Sequence, residues 1–189
     1  MKEIKDNRVI VDSIESTVHL HWSGIAELDL MALVQQENAE YHLISFANEG
    51  SVEHSPFIQM VSDFAFEEMS TNNQEIVRVH AQKIQSAHSV WFFCWDFDHV
   101  EMQSVAPFVD HEVSLELRQS DRSIRTSTVD SVNGAGNTIC LARWDVNPLN
   151  GTEEGVLIEV NHPFHVPLME GMPEVCKHLT EWVIQHQDQ

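Results

Sequence analysis

The chain has 189 residues, of which 42% are hydrophobic, and it carries 30 acidic against 10 basic side chains for a formal net charge of −20. That balance argues against nucleic acid or an anionic membrane as a partner, because gripping phosphates needs clustered Lys and Arg. It suits one soluble domain over residues 1–189, long enough to bury a sizeable core.

From the N-terminus, residues 7–22 predict two short strands. Val9, Ile10 and Val11 are β-branched, and Val18, Leu20 and Trp22 alternate with His19 and His21. The next strand is predicted over Ile25 to Val34, with Leu28, Leu30 and Ala32 on one face and Glu27, Asp29, Met31 and Leu33 on the other. A carboxylate on an otherwise apolar strand is costly to bury without a partner, so Asp29 stands out from the many exposed acids. Tyr41 to Phe46 predicts a further strand, closed by the turn residues Asn48, Glu49, Gly50 and Ser51. The apolar run from Pro56 to Val61 then opens into a polar loop that begins at Ser62 and Asp63 and includes Glu67 and Glu68.

Glu75 to His80 alternates as a half-buried strand, and Gln82 to His88 reads as a turn or a single helical turn. Val90 to Phe97 is the most apolar and aromatic run, and is predicted as the central strand, ending at Asp96, Phe97 and Asp98. After Pro107, a strand is predicted over Glu112 to Arg118, followed by a Ser-, Asn- and Gly-rich connection over 127–137. Further strands are predicted over Thr138 to Asp145 and Val156 to Val160, and an extended segment over Asn161 to Pro167. The single predicted helix, Glu174 to Gln185, places Val175, Leu179, Trp182 and Val183 at helical spacing behind Pro173. Many short strands and one late helix predict a mainly β protein, an antiparallel β-sandwich with one C-terminal helix.

Two groups of carboxylates at strand ends, Glu27 with Asp29 and Asp63 with Glu67 and Glu68, suit a cation that prefers oxygen ligands. Calcium takes several carboxylate and carbonyl oxygens, and loops at strand ends supply both. Asp29 and Asp63 are the leading ligand candidates, with Glu27, Glu67 and Glu68 behind them.

The order of these segments resembles the TerD family of tellurite-resistance and bacterial stress proteins. The resemblance rests on Leu28-Asp29-Leu30 after a strand, Phe46 with Asn48, Ser62-Asp63, Glu75 to Val79 and the aromatic strand from Val90 to Asp96, and covers residues 18 to 160. It implies a calcium-binding β-sandwich with a non-enzymatic role in stress or tellurite response. The departures are specific. Glu27-Leu28-Asp29 stands where the family shows Asp-Leu-Asp, and Ser62-Asp63-Phe64 where it shows Gly-Asp-Asn. Asn72 and Asn73 occupy a loop that is rich in aspartate in the family. Amide oxygens ligate calcium without contributing charge, so the implied site is weakened.

Two alternatives come from other features. The acidic surface suits an interaction module that meets a basic protein partner, with the cation residues vestigial. The twelve histidines include His162 and His165, near Glu170, which together with a distant third ligand would make a metal-dependent hydrolase. Catalytic zinc needs three protein ligands, and neither HExxH nor a Cys pair is present. Nucleophilic catalysis has no motif behind it, and Gly134-Ala135-Gly136-Asn137 lacks the continuation of a phosphate loop. Cys94, Cys140 and Cys176 form no CxxC pair, which predicts reduced thiols and a cytoplasmic setting. The start, Met1 to Asp6, has no apolar core of a signal peptide, and no stretch approaches the roughly 20 apolar residues of a membrane span.

Overall fold

A computed structural model describes residues 3–4, 7–61, 73–80, 84–120, 122–126, 129, 135–147 and 154–188. Among these, thirteen strands form two antiparallel sheets packed as a sandwich. In chain order the strands are β1 (Glu3–Ile4), β2 (Arg8–Asp12), β3 (Ser16–Trp22), β4 (Leu28–Gln36), β5 (Tyr41–Ile44), β6 (Gly50–Ser51) and β7 (Ile58–Val61). They continue as β8 (Asn73–Val79), β9 (Ala87–Asp96), β10 (Ser114–Gln119), β11 (Arg122–Arg125), β12 (Thr138–Asp145) and β13 (Glu154–Phe164). One sheet has the order β1-β2-β13-β12-β9-β4-β5 and the other β11-β10-β3-β8-β7-β6. A short helix α1 (Phe97–Glu101) follows β9, and α2 (Met172–His186) ends the described chain.

The predicted central strand is central for a visible reason. Along β9, Val90, Phe92 and Cys94 turn into the core between the sheets, while Trp91, Phe93 and Trp95 turn the other way into a second core under α2. A strand covered on both faces reads as a continuous apolar run. Its neighbour β4 divides likewise: Leu28, Leu30, Ala32 and Val34 face the other sheet, and Met31 and Leu33 face α2. The helix closes the second core with the four residues expected from its spacing, Val175, Leu179, Trp182 and Val183. The molecule is thus three-layered, with a polar outer surface left on the six-stranded sheet.

Beyond the two-residue strands β1 and β6, the latter formed where a turn is expected, three elements depart from the predictions. β9 stops at Asp96, and the residues expected to end it start α1 instead, because the Asp96 carboxylate accepts from the His99 N–H at 3.1 Å and caps the turn. β11 was not predicted, since only Ile124 in Arg-Ser-Ile-Arg is apolar. It forms as an edge strand by pairing Ile124 with Leu117 of β10. β13 runs on through Asn161 and Pro163 to Phe164. Val160 and Asn161 together face Leu141 in a bulge, and Asn161 takes φ 46° there. Because β2 pairs with β13 only as far as Ile158, Pro163 lies where that edge is open and a missing N–H is tolerated. Among the described residues no helix is long and apolar enough to cross a membrane.

Candidate functional site

The carboxylates meet at the end of the sandwich where β3 and β9 finish and β4, β8 and β10 begin. Strand register sets this up. Leu20 pairs with Glu75 and Trp22 with Asn73, so Asn73, Glu75, Val77 and Val79 share the inward face of β8 with the core residues of β3. Glu75 is therefore an inward-pointing acid at the mouth of the core. Its carboxylate accepts a hydrogen bond from the backbone N–H of Leu30. That N–H is available because β5 pairs only with Ala32 to Gln35, which leaves the first half of β4 with an open edge.

Around this edge, Trp22, Ile25, Ala26, Glu27, Asp29, Asn73 and Glu75 line a hollow of about 360 Å³. The β3–β4 loop that forms its rim is pinned from several sides. Asn73 donates Nδ2–H to the Gly24 carbonyl at 2.7 Å, which leaves its amide oxygen as the acceptor, and Trp22 donates its indole N–H to the Ala26 carbonyl at 2.9 Å. The Ser23 N–H donates to the His111 carbonyl at 2.7 Å. Gly24 sits at φ +83°, with His111 Nδ1 3.1 Å from where a Cβ would be, so this corner favours glycine.

Of the expected ligands, Glu27 and Asp29 do line one hollow, Glu27 exposed and Asp29 half-buried. Asp63, Glu67 and Glu68 lie outside the described residues, and β7 ends at Val61, opposite Ile76. The third carboxylate of the hollow is Glu75, which in the sequence reads only as part of a strand. Its signal was an acid in step with Val77 and Val79, a position that needs a partner. The buried Cys94 thiol reports the convergence from behind: burial pushes it far up, and Glu75, Asp29 and Asp96 push it further. Among the described residues, however, no three His, Cys, Asp or Glu side chains close into a ready-made metal cluster. The hollow supplies oxygen donors of the kind a hard cation takes, in a partial shell.

The histidines are dispersed into other settings. His162 and His165 do not converge: His162 lies edge-on to the rings of Trp182 and His186 at 5.4 and 5.1 Å, whereas His165 shares a hydrogen bond with Gln103 Oε1 at 3.1 Å. A second hollow of about 220 Å³ lies beside His162 and His186, but the charged groups on its wall are matched internally. Arg143 pairs with Asp145 at 2.8 Å and covers the Trp91 ring, and Glu159 accepts from Asn161 at 2.6 Å. His19 and His21 do share one face of β3, with rings stacked at 5.8 Å on the outside of the six-stranded sheet. There His21 meets Glu116 at 2.8 Å, and Glu116 also takes Arg118 at 2.8 Å and the Ser123 hydroxyl. The Arg118 hydrogen bond, with those of Ser123 and His21, holds the Glu116 carboxyl down at about 2 against the cost of burial. Burial, helped by the Arg118 charge, lowers His19 to about 4. Cys94 and Cys140 are fully buried and burial raises both thiols, so neither is a poised nucleophile.

No protein-family model matches the chain, and no curated protein matches it. Among solved structures it is similar to the crystal structure of SAV2460, a protein of unknown function, with a TM-score of 0.53 at 9% identity over 82% of this chain and 92% of that one. At that identity the likeness is one of fold.

Proposed function

We propose that the protein is a non-enzymatic binding protein that takes a hard divalent cation, calcium in the first place, in the hollow at the open end of the sandwich. One observation carries this: Glu27, Asp29 and Glu75 line a single hollow, with the Asn73 amide oxygen beside them. Carboxylate and amide oxygens gathered at one strand edge suit a small cation that prefers oxygen ligands. Asp29 and Glu75 would be the ligands, with Glu27 as an outer carboxylate. A partial shell leaves coordination positions for water, so the affinity is that of a weak site. The TerD-like order of segments supports the calcium reading and, with it, a stress or tellurite-response role in the cytoplasm.

A calorimetric calcium titration of chelator-treated protein tests the proposal. Single-site binding by the wild type, weakened at least ~10-fold by Asp29→Asn and again by Glu75→Gln, is the expected result, since each removes one anionic ligand. Absence of calcium heat in the wild type, or wild-type affinity in both variants, would sink it.

A further inference from the structure

We infer that the loops at this same end form a docking surface for a basic, amphipathic segment of another protein. Exposed apolar side chains are concentrated there. Met102 and Leu168 are both 64% exposed, Val105 is 58% exposed, and Ile25 and Val109 are exposed as well. They come from three separate loops that are tied together by hydrogen bonds. Gln103 Nε2 donates to the Val166 carbonyl at 3.3 Å, His165 meets Gln103, and Ser23 and His111 join through their backbones. The Ala106 N–H donates to the Gly136 carbonyl at 2.9 Å, and Asn137 bonds Val166 from both ends of its amide. The apolar groups are thus held on a braced platform. Scattered exposed apolar residues need no explanation, but several on adjoining loops of one end do.

Charge names the partner. Asp98, Glu101, Asp110, Glu112 and Glu170 are all exposed on these loops. The segments 23–27, 97–113 and 164–171 contain no Lys or Arg. Arg118 and Arg125, which lie outside these segments, stand on the outer face of the six-stranded sheet, Arg118 paired with Glu116 at 2.8 Å and Arg125 held by Ser114 Oγ at 2.7 Å. Apolar centres ringed by carboxylates are complementary to an amphipathic helix with Leu-like residues on one face and Lys or Arg on the other. An acidic partner would be repelled by the rim as well as by the net charge of −20. The surface works through side chains other than the ligands of the cation hollow, so neither reading rests on the other.

The test uses the whole protein in chelator, with a fluorescent helix-forming peptide of leucine and lysine at helical spacing as probe, read by anisotropy. A peptide with glutamate in place of lysine is the control. The leucine–lysine peptide should bind, and the glutamate peptide should not. Met102→Ser with Val105→Ser and Leu168→Ser should weaken binding at least ~10-fold, as loss of apolar anchors does. Ile184→Ser, at a 58% exposed position on α2, should leave it unchanged. Equal affinity in the triple variant would mean that net charge alone holds the peptide, and would overturn the inference. So would wild-type dimers, seen by sedimentation, that the triple variant abolishes, because the surface would then belong to a second copy. A clear fall in Tm for the triple variant would overturn it too, by showing that the face is already covered from within the chain.

Discussion

Beneath α2 the outer face of the seven-stranded sheet is closed by rings, whereas a few residues along the same strands the open end is lined by acids. On the closed side Trp182 meets Trp91, Phe93 and Phe164 at centroid distances of 6.2, 5.7 and 4.7 Å. At the open end β4 carries Asp29, and Glu75 reaches across from the other sheet to the Leu30 N–H. The two regions share a backbone and differ in what covers it. Where a helix can be laid down, large aromatic surfaces are removed from water and set the stability. Where the strand edge is left uncovered, polar groups must answer backbone groups, and carboxylates can gather within reach of solvent. Stability and the proposed binding thereby fall on opposite parts of one pair of strands.

The comparison breaks most sharply at Trp182. Trp182→Ala should cost about 3–5 kcal/mol, roughly 10 °C in Tm, because the ring is buried among five ring neighbours, Trp91, Phe93, Phe164, His162 and His186. Denaturant unfolding reads it, and a loss below ~1 kcal/mol would mean that α2 is only loosely laid on the sheet. Calcium response at the far end should survive this variant at temperatures where it stays folded.

Acid titration of stability should find a smaller effect on the polar face of the six-stranded sheet. Glu116 is held at about 2 against an ordinary 4.5, so its contribution is complete above 4.5 and is lost as the pH falls from 4.5 towards 2. His19, lowered from 6.5 to about 4, takes its proton more readily in the unfolded chain, so stability declines from pH 6.5 towards 4. Glu116→Gln should flatten the lower window and His19→Gln the upper one, in urea unfolding at a series of pH values. If both variants keep the wild-type slope, the network contributes nothing through titration.

At the open end itself the effect on stability should be least. Glu75→Ala leaves the Leu30 N–H without its side-chain acceptor, but the edge is close to water, and a cost of about 1 kcal/mol is expected. Hydrogen exchange at the Leu30 amide sharpens this: exchange should accelerate in Glu75→Ala and stay slow in Glu75→Gln, which keeps an acceptor oxygen.

Much of the scaffold was legible because its signals are local. The 3.6-residue spacing of Val175, Leu179, Trp182 and Val183 and the unbroken apolar run of β9 each report their own burial. What was illegible depends on distant pairing. β11 has one apolar residue and becomes a strand only beside β10, and the bulge at Asn161 is invisible without the facing Leu141. At the candidate site, Asp29 was conspicuous as an acid among apolar neighbours, yet Glu75 was not. In Glu75-Ile76-Val77-Arg78-Val79 either face can be read as apolar, and only the pairing of Leu20 with Glu75 turns the acid inward. Register, which a single strand does not encode, decided which carboxylate joined the hollow.

The measurement that bears most directly on the cation reading is thermal melting of chelator-stripped protein across a calcium series, with magnesium as control, for the wild type and for Asp29→Asn combined with Glu75→Gln. Binding to the native state alone should raise stability by about 1.4 kcal/mol at ten times Kd, or about 3–5 °C. Such a rise is expected with calcium, a smaller one with magnesium, and a flat response in the double variant. A wild-type Tm that ignores calcium, or a double variant that climbs with it just as the wild type does, would contradict it.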